Sequence, residues 1–430
     1  MVLVTYINPV LFLRCMELLK QVLAEIKPTK EEEKEVNEKI SEFLKKLNKN
    51  LKDAKAVLGG SGAKGTWISH TYDADIFVQF NYNKYKDKSN ELSDVLEKVL
   101  KRLFSKLSRL HGSRDYFQVK QVGFTFEVIP ILKITKAKDA LNITDVSPLH
   151  AEWVKKHKKF ADEIRLAKQF CKAQSVYGAE SYIKGFSGYM CEILTIHCKG
   201  FMNLAKAAAK WEPKTVIDTE GYYKNKSDVL FNINKSKQQG PMVLIDPVQK
   251  DRNAAAALSE EKFNQFVYAC KEFLKNPSKD FFKITEVSIE ELKKRAKKDK
   301  LILLAAKALS GKSDIVGSKL LKAVEFIDTE LKKNGFNVYE HGWKWDKAKD
   351  ALFWFIVDKN LLPEHVENRG PPLNLEKHVE LFKKKHKKTF VKGKNIWAKD
   401  KREFRDAGKF VNKLIKDKYL EDKAKEIRKF

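Results

Sequence analysis

Residues 59–67 read GGSGAKGTW, a glycine-rich stretch that carries one serine hydroxyl (Ser61) and one lysine ammonium (Lys64). Glycines in such a run predict a tight turn whose backbone N–H groups can face a ligand. The hydroxyl can bond a phosphate oxygen and the ammonium can neutralise its charge, so the stretch favours a phosphate-binding turn. An ordinary tight turn is the alternative interpretation.

Two aspartates follow in the segment 72–80, which is predicted to be a β-strand. A strand's period of two places Asp73 and Asp75 on the same face. A third acid, Glu127, interrupts a later apolar strand, where its burial without a partner would be costly. Three carboxylates can hold two Mg²⁺ ions about 3.5–4 Å apart for displacement at phosphorus. The pattern therefore predicts a metal-dependent nucleotidyl transfer site; solvent-exposed strand faces are the alternative.

The chain has 430 residues and a formal net charge of +28, from 85 Lys and Arg against 57 Asp and Glu. This imbalance predicts a polyanionic partner: nucleic acid first, an anionic membrane surface second. A lysine-rich solubilising surface is the alternative. No apolar run approaches the roughly 18–20 residues needed to span a membrane, so we expect no membrane-spanning segment. The five cysteines are scattered without a C-x-x-C pair, which favours a reducing, cytoplasmic setting.

Helix and strand patterns along the chain predict an α+β, multidomain protein. Residues 1–145 combine amphipathic helices with several strands and are predicted to form a catalytic head. Residues 146–220 have helical apolar spacing and predict a neck, and residues 221–285 predict a body. A β-α-β-β order within residues 286–394 indicates a small α+β tail, and residues 375–430 are predicted to be helical and strongly basic.

Several motifs resemble known sequence families. The Gly-Ser turn, the D-x-D strand and the later single acid are similar to the DNA polymerase β superfamily of nucleotidyltransferases. Four further motifs resemble the archaeal, class I CCA-adding enzymes (tRNA nucleotidyltransferases): SPLH-x-x-W at 147–153, YGAE at 177–180, KGFSGYMCE at 184–192 and DPV-x-x-x-RN at 246–253. Their order and spacing agree from about residue 30 to residue 285, and GFSGY is the most specific block.

The resemblance implies a polymerase β-like head, a helical neck, a body completed by residues 395–430, and a tRNA-binding tail. It implies that the three acids hold two Mg²⁺ ions. It also implies a set of nucleotide-binding residues: Ser61 and Lys64 for the triphosphate, His150, Lys168 and Tyr177 for the triphosphate and sugar, and Arg252 for the Watson–Crick edge of the base. Two positions depart from the family pattern, because Lys64 stands where Arg is usual and Glu127 where Asp is usual.

The activity implied by the resemblance is template-independent addition and repair of the 3′-terminal CCA of tRNA from CTP and ATP, with release of pyrophosphate. The implied partner is tRNA, bound at its acceptor stem and elbow, and the family suggests a homodimer in the cytoplasm. Two other functions are compatible with the sequence. One is another template-independent nucleotidyltransferase, of the poly(A) polymerase or oligoadenylate synthase type. The other is a non-catalytic RNA-binding protein.

Overall fold

The computed structural model describes residues 9–347 and 350–430, and it describes side chains from residue 13 onward. The chain divides into two compact units, Met1–Thr285 and Glu286–Phe430. Both units combine helices with sheets, as the predicted α+β, multidomain architecture requires. Within the described residues, no helix is both long enough and apolar enough to cross a bilayer.

The first unit begins with a head built on one five-stranded sheet. Its strands are β1 (Ala54–Leu58), β2 (Asp73–Phe80), β3 (Leu107–Leu110), β4 (Tyr116–Gln121) and β5 (Phe124–Leu132), in the order β1-β2-β5-β4-β3. Only β2 and β5 pair in parallel; the other neighbours are antiparallel. The helices of this region are α1 (Pro9–Ile26), α2 (Lys30–Asn48), α3 (Gly60–Lys64), α4 (Tyr82–Tyr85) and α5 (Leu92–Leu103).

Helix α2 covers one face of this sheet because its apolar residues recur at helical spacing. Its buried residues share a core with α5 and with the even-numbered residues of β2, from Ala74 to Phe80. Thr29 caps the N-terminus of α2, because its hydroxyl accepts a hydrogen bond from the N–H of Glu32. The Glu32 carboxylate accepts bonds from Ser69 and His70, and so ties α2 to the loop before β2. The odd-numbered residues of β2 face the opposite side of the sheet, where Asp73 is exposed, Asp75 is half-buried and Phe77 packs in a small apolar cluster.

The rest of the first unit is mainly helical. Its helices are α6 (Ser147–Lys156), α7 (Ala161–Ala173), α8 (Gly188–His197), α9 (Phe201–Ala208), α10 (Lys226–Asn232) and α11 (Glu260–Lys275). A three-stranded sheet has the order β6 (Thr215–Ile217), β7 (Met242–Asp246), β8 (Gln249–Asn253). One core joins α1, α7, α8, α9 and α11, with Phe170 and Phe273 among its fully buried rings. The predicted neck (146–220) and body (221–285) thus share this core.

The second unit contains two antiparallel sheets. The first has the order β10-β11-β9-β15 and the second the order β12-β14-β13. The strands are β9 (Lys300–Lys307), β10 (Val338–Lys344), β11 (Ala351–Val357), β12 (His365–Pro372), β13 (Thr389–Lys392), β14 (Asn395–Lys401) and β15 (Glu426–Lys429). The helices are α12 (Ile289–Ala296), α13 (Ser313–Lys333), α14 (Glu376–Lys385), α15 (Ala407–Leu414) and α16 (Lys418–Glu421).

The prediction that residues 375–430 are helical holds only for α14, α15 and α16. Three strands lie in this segment, because Thr389-Phe390-Val391 is a β-branched and aromatic run and Gly393, at φ +62°, turns the chain back. Strand β15 then pairs with β9, and its Ile427 packs against the core of the second unit. The strand pairing and the division into units group residues 395–430 with residues 286–394, whereas the sequence analysis expected them to complete the body.

Candidate active site

The glycine-rich stretch wraps closely around strand β2. The N–H of Gly59 donates to the carbonyl oxygen of Asp75 over 2.7 Å, and α3 begins immediately afterwards. A Cβ atom on Gly60, which has φ +51°, would overlap the carboxylate of Asp75, and one on Gly59 would overlap the ring of Phe77. The glycines are therefore required by this close approach to the acidic strand, and an ordinary tight turn would not need both of them.

The three predicted acids lie on the face of the head sheet opposite α2. Asp73 and Asp75 alternate with the core residues of β2, and Asp75 is the register partner of Glu127 on the parallel strand β5. Gln118 of β4 donates to Glu127 over 3.0 Å. Burial raises the pKa of Asp75 to about 6, and the charges of Glu127 and Asp73 add to this effect. Burial also raises the pKa of Asp73.

The donor chemistry of this cluster fits a hard divalent cation. A buried carboxylate beside two others is electrostatically unfavourable, and a bound cation would reverse that penalty. Yet no group of three or more His, Cys, Asp and Glu side chains, in the part of the chain that the structure describes, is arranged to hold a metal ion by itself. The three-ligand metal site thus stays a prediction.

A buried ion network joins the glycine-rich stretch to the neck. Glu192 of α8 accepts from Lys64 over 2.8 Å and from Lys168 over 2.7 Å. Thr66 also donates to Glu192, over 3.0 Å, and accepts from Lys168. Burial alone would raise the pKa of Glu192, but Lys168 and Lys64 lower it to about 2. The network fixes the two predicted phosphate-binding lysines relative to each other.

Helix α7 makes further contacts with the head. Arg165 donates to the carbonyl oxygens of Trp67 (2.8 Å) and Gly65 (2.9 Å), at the end of the glycine-rich stretch. Its guanidinium is held in turn by Asp162 of the same helix over 2.6 Å. Farther along α7, Lys172 approaches the acids, and burial lowers its pKa. One face of α7 thus presents a row of cations to the head.

The KGFSGY motif lies beside the glycine-rich stretch, since the Nζ of Lys64 is 5.2 Å from the ring centroid of Tyr189. Gly185 lies so close to the carbonyl oxygen of Val176 that a Cβ atom there would overlap the backbone. Gly188 leaves room for the Tyr177 hydroxyl, because an added Cβ atom would lie 2.7 Å from it. Ser187 caps the N-terminus of α8, because its hydroxyl accepts a hydrogen bond from the N–H of Met190. The motif therefore sets the position of Tyr177 through two close approaches that only glycine permits.

A second polar cluster surrounds the buried carboxylate of Asp246, at the end of β7. Asp246 accepts from Arg252 (2.5 Å) and Tyr189 (3.1 Å), and His150 lies 3.0 Å away. The rings of His150 and Tyr189 stack at a centroid distance of 4.0 Å. Burial lowers the pKa of His150, and the hydrogen bond and charge of Asp246 oppose this change.

A cavity of about 300 Å³ brings most of the predicted residues together. Its lining includes six of them, namely Ser61, Lys64, Asp73, Asp75, Lys168 and Tyr177. Glu127, His150 and Arg252 do not line it. Glu127 lies beside Asp75 in the sheet, and the other two connect to the cavity through Tyr189, a lining residue that stacks on His150.

Comparisons with known proteins identify the family. Three family descriptions match successive parts of the chain: a nucleotidyltransferase domain (residues 38–138), the second domain of tRNA nucleotidyltransferases (162–283) and the C-terminal domain of CCA-adding enzymes (307–427). The chain is 37% identical over 368 residues to a CCA-adding enzyme of Nanoarchaeum equitans, which covers 85% of this chain and 88% of that protein. The chain belongs to the CCA-adding enzyme family.

Other members of the CCA-adding enzyme family are similar over most of their length. The enzyme of Methanocaldococcus jannaschii is 31% identical, covering 90% of this chain and 88% of that protein, and the one of Methanococcus maripaludis is 31% identical, covering 96% of each.

A solved RNA terminal U-transferase has a TM-score of 0.50 at 13% identity, covering 64% of this chain and 99% of that chain. At this identity the structural similarity supports the fold alone.

The sequence analysis assigned no role to three residues of this site, which are Glu192, Asp246 and Lys172. Glu192 and Asp246 lie inside motifs that had been noticed, KGFSGYMCE and DPV, yet neither was assigned a role. Lys172 follows Lys168 by four residues, a helical spacing that could have indicated a shared face. Each of the two acids acts on a partner distant in sequence, and such pairings are visible only in the folded chain.

Proposed function

We propose that this protein adds and repairs the 3′-terminal CCA of tRNA, using CTP and ATP and no nucleic-acid template. The observation that carries this proposal is the cleft itself, which gathers two aspartates, three lysines, a serine and two tyrosines from the head and the neck. A polyanionic triphosphate needs cations and hydroxyl donors on one side and metal-binding carboxylates on the other. Membership of the CCA-adding enzyme family selects tRNA as the acceptor.

The chemistry is mostly positioning and neutralisation of charge. Ser61 and Lys64 hold the triphosphate, with Lys168 and Tyr177 completing its pocket. Asp73, Asp75 and Glu127 would hold Mg²⁺ ions, which when bound supply charge neutralisation and help ionise the attacking hydroxyl. The tRNA 3′-hydroxyl attacks the α-phosphorus, the bond to the bridging oxygen breaks, and pyrophosphate leaves. No side chain acts as a nucleophile in this scheme.

Arg252 offers a physical basis for choosing CTP and ATP. The Watson–Crick edges of cytosine and adenine each present a ring-nitrogen acceptor beside an amino donor, whereas uracil and guanine present a ring N–H there. Arginine carries only donors, so it matches the first pair and leaves two donors facing each other in the second. Asp246 accepts from Arg252 and so limits the orientations of the guanidinium.

The positive charge of the chain supports binding of the tRNA acceptor stem and elbow. Phosphates supply most of the affinity in such interfaces, and A-form RNA exposes its 2′-hydroxyls in a shallow groove that side chains can reach. We place the protein in the cytoplasm and expect a homodimer, following the family. RNA affinity should fall steeply with salt concentration; a flat salt response would contradict this part of the proposal.

The decisive experiment uses tRNA transcripts that end before CCA, after C and after CC, each incubated with one NTP at a time. With CTP, the transcripts ending before CCA and after C should gain CC and C respectively; with ATP, the transcript ending after CC should gain A, and no transcript should be extended beyond the complete end. Long untemplated A-tails would indicate a poly(A) polymerase activity instead. Asp75→Ala should abolish incorporation; unchanged incorporation would refute the catalytic assignment, and absence of any incorporation by the unaltered chain would favour a non-catalytic RNA-binding protein.

A further inference from the structure

A third lysine lines the cleft without an assigned role. Lys172 borders the same cavity as Asp73 and Tyr177, and it is half-buried. It follows Lys168 by four residues on α7, so both side chains leave the same face of the helix about one turn apart. Its Nζ lies 5.4 Å from the ring centroid of Tyr177, whose hydroxyl lies beside Gly188 of the KGFSGY motif.

The other two lysines of the cleft are already committed to the protein. Lys64 and Lys168 share the carboxylate of Glu192, and Lys168 gives a second hydrogen bond to Thr66. Lys64, Lys168 and Glu192 together contribute one net positive charge. Lys172, by contrast, forms no ion pair with any carboxylate among the described residues, so none of its ammonium donors is taken by an acid of the protein.

An unpaired ammonium in a half-buried site is unfavourable unless something compensates it. Asp73 acts on Lys172 electrostatically, but the two do not form an ion pair. If the acids of the cleft bind divalent cations, their negative charge is neutralised and Lys172 then faces further positive charge. Binding of the cations therefore favours entry of an anionic ligand that compensates both the cations and Lys172.

We infer that Lys172 binds the triphosphate of the incoming nucleotide, as an additional phosphate-binding residue beside Lys64 and Lys168. The inference rests on the proposed function and deepens it. The position of Lys172 favours the nucleotide over the RNA end, because it neighbours Asp73 and the neck side of the cleft. Glu127, the third acid, lies beside Asp75 on strand β5 and does not line the cavity that Lys172 borders. Lys172 thus shares the side of the cleft that already carries the other two lysines.

The test compares Lys172→Met with Lys172→Arg, and uses Lys271→Met as a matched control, since Lys271 is exposed on α11. Steady-state kinetics give kcat and KM separately for CTP, ATP and tRNA. Calorimetric titration with tripolyphosphate and Mg²⁺ gives a dissociation constant that needs no turnover. A charge-assisted hydrogen bond corresponds to about tenfold to hundredfold in affinity, so Lys172→Met should raise the nucleotide KM and the tripolyphosphate Kd by that factor.

Lys172→Arg should restore both constants to within a few-fold, since it retains the charge. The tRNA KM and the Lys271→Met values should stay at the level of the unaltered protein, and the melting temperature of ligand-free Lys172→Met should not fall. A rise in the tRNA KM alone would place Lys172 at the RNA end, and unchanged tripolyphosphate binding would overturn the inference. If the unaltered protein failed to extend tRNA, the proposed function would fail, while the titration would still test Lys172.

Discussion

Asp75 should destabilise the folded protein in the absence of metal, and Asp75→Asn should therefore stabilise it. The pKa of this carboxyl rises from 3.8 to about 6 because of burial and of its neighbours Glu127 and Asp73. One pKa unit corresponds to about 1.4 kcal/mol, so the ionised side chain costs the folded state up to about 3 kcal/mol at pH 7. The isosteric amide removes this cost and, with it, a ligand for the proposed cations.

The pH dependence follows from the direction of the shift. Below the unfolded-state pKa of 3.8 the carboxyl is protonated in both the folded and the unfolded state. At such pH, Asp75→Asn therefore removes no cost of ionisation and does not raise stability. As pH rises, the folded state holds its proton longer than the unfolded state does, so the cost of ionisation grows until pH exceeds about 6. The stability gap between Asp75→Asn and the unaltered protein should thus be full at pH 7 and close as pH falls toward 4.

Scanning calorimetry in EDTA measures this gap directly. At about 2–4 °C per kcal/mol for a domain of this size, the transition of the first unit should rise by about 6–12 °C at pH 7. Adding Mg²⁺ should narrow the gap, because only the intact acid cluster gains from the cation. Asp87→Asn, on the exposed segment Lys86–Glu91, serves as the control and should change nothing. A lower melting temperature for Asp75→Asn in EDTA, or a gap independent of pH, would refute the reasoning.

Three further predictions concern the neck and the second unit. Glu192→Gln should lower the free energy of unfolding by about 3–5 kcal/mol, because it leaves two buried lysines unpaired; urea titration measures this, and unchanged stability would contradict the network. Gly188→Ala should raise the nucleotide KM by displacing the Tyr177 hydroxyl, whereas Gly185→Ala should mainly lower the melting temperature because it meets backbone; equal effects on both readouts would be inconsistent with this distinction. Deleting residues 426–430 should lower the stability of the second unit by about 1–2 kcal/mol through lost burial at β15, seen as a lower denaturation midpoint; an unaltered midpoint would argue against that pairing.

Local pattern carried much of the candidate site. The alternation of acids and apolar residues in 72–80 predicted a strand with Asp73 and Asp75 on one face, and β2 confirms this. Glu127 was expected on a neighbouring strand, and it is the direct register partner of Asp75. These expectations succeeded because a strand's side-chain direction depends only on sequence position, and because a glycine run signals close backbone approach before the neighbour is known.

The carboxy-terminal region shows where local pattern was insufficient. The sequence analysis expected helices over residues 375–430, but three strands form there: β13 and β14 pair with each other, and β14 and β15 also pair with strands outside the segment. Strand β15 pairs with β9, more than a hundred residues earlier, and no local signal contains that information. Strand formation depends on the packing partner as much as on propensity, so the tertiary structure decides it.

By itself, the sequence determined the catalytic class of this protein: an acidic strand beside a glycine-rich phosphate turn, motifs of one tRNA-modifying family, and a large positive charge. Only the tertiary structure decided how the cations are shared. It paired Lys64 and Lys168 with Glu192, turned Arg252 toward Asp246, and left Lys172 without an ion-pair partner among the described residues. The physical reason is that a residue's type sets its charge, whereas burial and long-range contacts set whether that charge is neutralised within the protein or left for a ligand.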